Sequence, residues 1–385
     1  MPYCETNKCQ SSVTELNNKN GINIFYRTYG EGATKVLLII GLAGTHDSWG
    51  PQIKGITGTE MANDVEYVKF DRKIDNDDEV NEGVEVCAFD NRGMGSSSIP
   101  TKKSEYTTTI MAKDTIALMD HLGWSKAHVF GHSMGAMIAC KLSAMVPDRI
   151  LSLALLNVTG GGFECFPKID RKMISIALRF LKAKTPEQRA AVDLDTHYTK
   201  EYLDEYVGPH TRRMILYQEY VKGISSSGMQ SNYGFEGQIN ACWTHKLTSK
   251  ELQVIRSAGF LISVIHGRYD IIAQIYHARK LAVRMQPFAR MVNQALLDLI
   301  KASELKLSPQ DWSNLPMEGK GSVIGTQTPS GRSTGEGNCL SYMLDFLRKL
   351  HRILLYIFGL FAMAFEQGRK VSGSVKPIRV GTSVS

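Results

Sequence analysis

Short apolar runs alternate with helical segments along most of this chain, and this alternation is the feature that most restricts its fold. Four runs are mostly apolar and contain β-branched or aromatic residues: residues 36–41, 85–90, 127–130 and 150–158. Such runs predict strands that are buried on both faces. Helical spacing occupies residues 110–122 and 134–145, which end at Gly123 and Pro147. We therefore expect a mostly parallel central sheet with helices on both faces.

The second half of the chain interrupts this pattern and then resumes it. Residues 160–249 have apolar residues at helical spacing and no strand signal, which predicts a helical insertion above the sheet. Residues 261–270 predict a returning strand and its exit loop, and residues 288–292 predict the end of a short buried strand. A helical pattern starts immediately at Asn293, although a strand-to-helix connection normally takes about 2 to 6 residues.

Composition excludes several classes of protein. The chain has 385 residues, of which 43% are hydrophobic and 22% charged, which is typical of one large globular domain with tails. Its net charge of +7 comes mostly from scattered basic residues, so we expect no nucleic-acid partner. Its 7 cysteines are widely spaced without a CxxC pair or a zinc-site spacing, which predicts reduced thiols and no metal. The first residues contain no apolar signal segment, so the expected location is the cytosolic side.

These signals divide the chain into consecutive parts. An acidic polar stretch at residues 70–83 predicts a surface loop within the first part of the core, and residues 319–338 are rich in Gly, Ser and Thr, as flexible linkers are. We expect an N-terminal extension (1–20), a first core part (21–159), a helical lid (160–250), a second core part (251–302), a flexible linker (303–340), an apolar helix (341–367) and a basic tail (368–385).

The pentapeptide "GHSMG" is the strongest chemical motif. It follows a predicted strand and opens a predicted helix, which is the setting of a nucleophile elbow. Gly131 and Gly135 allow a tight turn that lifts the hydroxyl of Ser133 above the sheet. Ser133 is therefore the candidate nucleophile.

With this motif the chain resembles the α/β-hydrolase superfamily, and in particular a plant-type subgroup with long C-terminal tails. The resemblance covers roughly residues 21–302. "IIGLAGTHDSW", at residues 39–49, is similar to the loop after the third strand of the family, where Ile40 and Gly41 replace a common His-Gly pair. The resemblance implies that the backbone N–H groups of Leu42 and Met134 form an oxyanion hole.

A second motif, "DNRGMGSS", matches a turn of the family, D-x-R-G-x-G-x-S. It contains Asp90, Arg92, Gly93 and Gly95. We interpret this turn as structural rather than catalytic.

The third motif is "HGRYD", which resembles the turn that presents the triad acid and makes Asp270 the candidate. The family order of Ser, Asp and His requires a histidine downstream, but only His277 and His351 follow Asp270. His277 lies in the next helix, where a surface position is expected, and His351 lies in the apolar tail. Upstream of Asp270, His46 is expected to be a polar loop residue, although it could replace the missing base. The side chain of His132 is expected to point away from the site.

The resemblance also explains the abrupt junction after Val292. In similar proteins a Gly-Gly-His loop separates the last strand from the last helix, and here that loop is missing between Val292 and Asn293. We hypothesise that the chain is a splice isoform or a gene model that lacks one exon. Transcripts read across this junction test the hypothesis, and the absence of any longer form would count against it.

The C-terminal segment from Tyr342 to Phe365 is strongly apolar and contains Arg348, Lys349 and Arg352 near its start. A tilted transmembrane helix, a helix in the membrane interface and a helix packed on the protein body remain open. Membrane contact of some kind is the expectation.

The resemblance implies a serine hydrolase for small or lipid-like esters, without a metal or organic cofactor. A serine at the elbow argues against epoxide and haloalkane hydrolysis, which use aspartate there in this fold. The alternative is a ligand-binding protein that has lost catalysis, and a third option is a chain that does not fold stably. Lid side chains decide the substrate.

Overall fold

The computed structural model describes residues 2–6, 21–64, 83–168, 170–286 and 289–291. The chain divides into two compact units, residues 1–320 and residues 321–385, and the described residues belong to the first. Their ten strands, in chain order, are β1 (Tyr3–Glu5), β2 (Asn23–Tyr29), β3 (Thr34–Ile39), β4 (Val84–Phe89), β5 (Ala127–His132), β6 (Ile150–Leu156), β7 (Tyr206–Val207), β8 (His210–Thr211), β9 (Leu261–Ile265) and β10 (Ala289–Met291).

Eight of these strands form one central sheet in the order β1-β2-β4-β3-β5-β6-β9-β10. The pairs β1–β2 and β2–β4 are antiparallel, and the remaining pairs from β4 to β10 are parallel. In the centre, β3 lies between β4 and β5, with Leu38 opposite both Ala88 and Phe130. The sheet expected from the alternating pattern is therefore present, and it is mostly parallel.

The described residues also form ten α-helices. In chain order they are α1 (Gly50–Thr57), α2 (Thr108–His121), α3 (Met134–Met145), α4 (Arg171–Lys182), α5 (Pro186–His197), α6 (Lys200–Asp204), α7 (Arg212–Ser227), α8 (Asn232–Thr244), α9 (Ser249–Ser257) and α10 (Ile275–Arg284).

Helices cover both faces of the sheet, which explains why its central strands are mostly apolar. On β3, Val36 and Leu38 belong to one hydrophobic cluster, and Leu37 and Ile39 belong to the other, because successive side chains point to opposite faces. Residues of α2, α3, α9 and α10 pack in the cluster of Leu37 and Ile39, while α1 contributes to the cluster of Val36 and Leu38.

The helices α4 to α8 and the β7–β8 hairpin form an insertion between β6 and β9. Each of these five helices follows a Ser, Thr or Asp whose side chain accepts a hydrogen bond from a backbone N–H of the first turn, as in the case of Asp170 at α4 and Thr185 at α5. The sequence determines these helix starts locally.

The observed elements confirm most of the predicted ones. The helix expected at residues 110–122 is α2, and Gly123 follows it with φ +69°, as a residue just past a helix end often does. The structure adds β1, a strand that lies within the predicted N-terminal extension, 1–20. The predicted helix at residues 293–300, most of the loop at 70–83, the linker and the tail lie outside the described residues.

Among the residues that the structure describes, no helix is both long enough and apolar enough to span a membrane.

Candidate active site

Backbone strain concentrates where the parallel strands end. The structure contains three non-glycine residues with positive φ in its described part: Ala43 (60°), Ser133 (53°) and Asn157 (51°). They follow β3, β5 and β6, which are adjacent in the sheet. Such conformations cost of order 1–3 kcal/mol each and cluster at functional sites. The carboxyl edge of these three strands is therefore the candidate site.

Ser133 occupies the turn between β5 and α3, as the elbow motif predicts. Two glycines allow this turn, because a Cβ on Gly131 would lie 2.5 Å from the carbonyl oxygen of Gly135, and a Cβ on Gly135 would lie 2.0 Å from that of Ile39. The N–H of Ser133 donates to the carbonyl oxygen of Leu156 on β6. These contacts hold the serine at the top of the sheet.

The hydroxyl of Ser133 has no hydrogen-bond partner among the described residues, and its side chain is only partly buried. In an active serine hydrolase, a base accepts the proton of this hydroxyl during attack. The described part of the chain therefore presents a positioned nucleophile without a base in contact with it.

The loop after β3 lies directly beside the nucleophile. A Cβ built on Gly41 would meet Cβ of Ser133 at 3.1 Å, so the backbone of the loop passes very close to the elbow. No hydrogen bond engages the N–H of Leu42 or the N–H of Met134 within the described ranges. Two free amide donors next to a nucleophilic oxygen are what an oxyanion hole requires.

Gln238 of the insertion helix α8 supports this loop, and sequence reasoning missed it. Its side chain is fully buried, and its Oε1 accepts from the N–H of Ala43 at 3.0 Å and from Nε2 of Gln230 at 2.9 Å. Its Nε2 donates to the carbonyl oxygen of Arg92 at 3.0 Å. The positive φ of Ala43 is thus stabilised by a residue almost 200 positions away, which no local pattern signals.

Asp270 lies in the loop after β9, at the same edge of the sheet. Its Oδ1 accepts from the N–H groups of Ile272 and Ala273, both at 2.8 Å. Asn157 positions this loop, because its Oδ1 accepts from the N–H of Gly267 and its own N–H donates to the carbonyl oxygen of Ile265. Asp270 makes no hydrogen bond to a histidine within the described residues.

Two histidines considered from the sequence are engaged elsewhere. His46 is buried, and its Nδ1 and its backbone N–H both lie 2.8 Å from Oδ1 of Asp90. His277, in the first turn of α10, has its Nδ1 3.5 Å from Oε2 of Glu164, which is an ion-pair distance and long for a hydrogen bond. His277 and then Lys280 lower the pKa of Glu164 to about 2.

Two other histidines, His197 and His266, lie close enough to a third, His132, to influence it electrostatically. Burial, followed by the charges of His197 and His266, lowers the pKa of His132 to about 4. Nε2 of His266 donates to the carbonyl oxygen of Ala273 at 2.5 Å, which leaves its buried Nδ1 without a partner among the described residues.

His197, at the end of α5, is the second residue that sequence reasoning missed. Its side chain is exposed, yet desolvation lowers its pKa, while the carboxylates of Asp193 and Asp270 oppose this effect. The insertion therefore places an imidazole within electrostatic range of both His132 and Asp270.

The "DNRGMGSS" turn makes contacts internal to the protein. Oδ2 of Asp90 accepts from the N–H of Ser96, and a Cβ on Gly95 would meet that oxygen at 2.1 Å. Arg92 and Asp114 are both buried and form two parallel hydrogen bonds of 2.6 Å. Gly93 has φ +86° and packs against the ring of Tyr106. This turn connects the site loops to the body.

Neither a metal site nor a disulfide occurs in the part of the chain that the structure describes. It contains no group of three or more His, Cys, Asp or Glu side chains that could hold a metal ion. Cys87 and Cys140 are buried in the core as free thiols, and burial raises the pKa of Cys140 to about 12.

Comparison with known proteins gives one family. Residues 35–282 match the model of the family described as alpha/beta hydrolase fold. A Caulobacter segnis protein, RutD, assigned as a carbamate hydrolase, is 31% identical over 137 residues, which are 35% of this chain and 42% of the relative. A fluoroacetate dehalogenase of a Burkholderia species is 34% identical over 125 residues, which are 31% of this chain and 40% of the relative. The matches thus span less than half of these relatives.

A solved structure extends the similarity over most of the described residues. The enol-lactonase from Burkholderia xenovorans LB400 superposes with a TM-score of 0.51 at 21% identity, covering 74% of this chain and 94% of the lactonase. At that identity the likeness shows the fold alone. The names of these relatives refer to different reactions, so the chemistry has to be argued from the residues of the site.

Proposed function

Because this chain belongs to the alpha/beta hydrolase fold family, we propose that it is built as a serine hydrolase for small or lipid-like carboxylic esters. One observation carries the proposal: Ser133 lies at a strained turn, with an unpartnered hydroxyl next to the free N–H groups of Leu42 and Met134. A serine at this position can form an acyl ester with a substrate, as a nucleophile of the acyl-transfer type does.

The proposed reaction follows from this geometry. Oγ of Ser133 attacks the carbonyl carbon of the ester, and the negative charge that develops on the carbonyl oxygen is stabilised by the N–H groups of Leu42 and Met134. The hydroxyl proton passes to a base and then to the leaving alcohol, and water hydrolyses the acyl-serine. Asp270 would orient the imidazole that serves as this base.

We propose that this imidazole is missing because a loop is absent between Val292 and Asn293. Both residues lie outside the described part of the structure, whereas β10 ends at Met291 immediately before them. Loss of a triad histidine costs on the order of 10⁶ in kcat in a protease. An oxyanion hole and substrate binding alone retain roughly 10³ to 10⁴ over the reaction in water.

The experiment is hydrolysis of a short-chain p-nitrophenyl ester by three proteins: the chain as it is, its Ser133→Ala variant, and a version with a Gly-Gly-His loop restored after Val292. We expect substantial turnover only in the restored version. Turnover by the unchanged chain that disappears in Ser133→Ala would show that another residue supplies the base. Thermal melting of all three proteins identifies any that do not fold.

His197 is the candidate for that other base. If the unchanged chain is active, His197→Gln should remove the activity while Asp270→Asn reduces it, because the two side chains are within electrostatic range. Activity that survives His197→Gln would exclude this residue. Ile239→Gln, at an exposed position of the same insertion, is the control for a neutral change of surface.

The second candidate function is ligand binding without catalysis. It is favoured by the absence of a base at Ser133 within the described residues. A restored version that melts cooperatively but remains inactive, together with saturable binding of an ester analogue by the unchanged chain, would support binding and contradict the hydrolase proposal.

We also propose that the chain works on the cytosolic side and contacts a membrane through the segment from Tyr342 to Phe365. The support is its apolar sequence with adjacent Arg348, Lys349 and Arg352. Deleting the segment and fractionating cells tests the proposal. A larger share of the full chain than of the shortened chain is expected with membranes, and equal soluble partitioning of both would contradict the proposal.

A further inference from the structure

The helix α4 has an apolar face that its own protein leaves uncovered. Ile174, Leu178 and Leu181 are 50%, 52% and 56% exposed. They lie at positions i, i+4 and i+7, so they form one stripe about 10 Å long on a single face of the helix. Single exposed apolar residues are ordinary, but three adjacent ones on one helix face indicate an interaction surface.

The opposite face of α4 is firmly packed, so the stripe is not exposed because the helix is detached. Ile176 is buried, and the ring of Phe180 lies 6.0 Å from the ring of Phe235. Arg179 forms a 2.7 Å ion pair with Asp195 of α5. These contacts determine which face of α4 points outward.

Basic residues border the apolar stripe. Arg171 and Lys182 are exposed and lie on the same flank of the stripe by helical spacing, and the exposed Lys168 and Lys184 lie just beyond the two helix ends. α4 itself contains no acidic residue, and the adjacent Asp170 accepts a hydrogen bond from the N–H of Met173 as the N-cap. An apolar stripe flanked by cations is the pattern of helices that lie in the interface of an anionic membrane.

We infer that α4 docks on anionic lipid, with its apolar stripe in the acyl boundary and Arg171 and Lys182 at the phosphate level. The sign of the charge favours lipid over two other occupants. The apolar tail segment carries Arg348, Lys349 and Arg352 against one acid, Asp345, so it is basic like the border of α4. A second copy of α4 would bring the same cations together. This inference is independent of the hydrolase proposal.

The first test is sedimentation of the full chain with vesicles of phosphatidylcholine alone and of phosphatidylcholine with phosphatidylserine. Binding is expected only to the anionic vesicles, and it should weaken as salt rises because the ionic part is screened. Replacing Ile174, Leu178 and Leu181 by Ser should weaken this binding at least about tenfold, since three apolar side chains lose their burial in the interface.

Two matched controls accompany these variants. Serine at Met61, Ile99 and Val283, which are 49%, 42% and 64% exposed elsewhere, should leave vesicle binding unchanged. For charge, Arg171→Glu with Lys182→Glu should weaken binding, whereas the same reversal at the exposed Lys113 and Lys126 should have a much smaller effect. Equal losses in test and control variants would overturn the inference.

Hydrogen–deuterium exchange of the full chain separates α4 from the apolar tail. Amides of residues 171–182 should exchange more slowly when anionic vesicles are added. Vesicle binding without slower exchange in this segment would place the contact elsewhere and overturn the inference. Slow exchange of residues 171–182 without vesicles that is lost when the tail is deleted would overturn the inference in favour of the tail. Slow exchange that increases with protein concentration would overturn it in favour of a second copy.

Discussion

The same kinds of residue are buried in the central sheet and exposed in the helical insertion. In the sheet, Leu37 and Leu38 are fully buried on opposite faces, whereas Leu178 and Leu181 of the insertion are more than half exposed. The Arg92–Asp114 pair at the edge of the sheet is buried, whereas the Arg179–Asp195 pair of the insertion has side chains that are 44% and 28% exposed.

This difference indicates where substitutions lower the free energy of unfolding most. Sheet residues have fixed neighbours on all sides, so their size and polarity are dictated by packing. The insertion helices begin at capping residues of their own, and outward side chains such as Leu178 and Leu181 are exposed and can contact another surface. The candidate site lies where the two regions meet, at the contact between Gln238 and the loop of Ala43.

The largest expected difference in stability is between variants of the two ion pairs. Arg92→Met should lower the free energy of unfolding by about 3–5 kcal/mol, because it leaves the buried carboxylate of Asp114 without its partner. Arg179→Met should cost less than about 1 kcal/mol, because its pair is solvated. Urea unfolding of both variants measures the difference, and equal losses would break the comparison between the two regions.

The next comparison makes the same substitution, glycine to alanine, at two positions. Gly135→Ala should destabilise the protein by about 3 kcal/mol, because the new Cβ would meet the backbone oxygen of Ile39 at 2.0 Å. Gly223→Ala, inside α7, has nothing within 4 Å of its Cβ and should stabilise by roughly 0.5–1 kcal/mol. Thermal melting measures both changes in stability, and a Gly135→Ala variant as stable as the parent would contradict the elbow geometry.

A third change probes the boundary itself. Gln238→Met keeps the volume of the side chain but leaves the N–H of Ala43 without its partner and removes one of the two acceptors of the Gln230 amide. A loss of about 2 kcal/mol is expected. Gln253→Met on the exposed side of α9 should stay within about 0.5 kcal/mol of the parent. In the version with the restored loop, Gln238→Met should lower kcat more than it raises KM if Ala43 positions the oxyanion donors.

The smallest expected effect is a pH dependence at His245, which packs at the junction of α8 and the core. Burial, followed by the charge of Lys141, lowers the pKa of His245 to about 3, and its Nδ1 is 2.8 Å from Oγ1 of Thr108. Between the ordinary pKa of 6.5 and about 3, the unfolded chain binds a proton that the folded chain does not. The free energy of unfolding should therefore fall as pH decreases through this window.

The expected loss from this residue is about 1.3 kcal/mol between about pH 7.5 and about pH 5.5. Urea unfolding at both pH values should show it, and His245→Gln should reduce the slope by that amount. A variant with the slope of the parent would show that His245 does not report the junction. Carboxylates contribute mainly at lower pH, since even the ordinary pKa of Glu164 is 4.5 before it is lowered to about 2.

Local signals in the sequence predicted the fold where neighbouring residues decide it. The continuous apolar run before Gly41 predicted β3, and the helix predicted between Met134 and Met145 has those bounds in α3. The strand β1 was missed because three residues paired only at one edge give no period that can be recognised. The hairpin of β7 and β8 was missed for the same reason.

The candidate site divides in the same manner. Ser133, with Gly131 and Gly135, was accessible from sequence because the turn needs small residues at adjacent positions. The roles of Gln238 and Asn157 were not, since each acts through a contact with a loop more than 100 residues away.

The sequence by itself thus determined the alternating elements, the elbow and the family resemblance, because periodicity and glycine spacing are local properties. Only the tertiary structure decided that His46 is held by Asp90, that His197 lies within range of Asp270, and that the apolar stripe of α4 is left uncovered. These facts depend on which distant segments the sheet brings together, and a pattern of neighbouring residues does not contain that information.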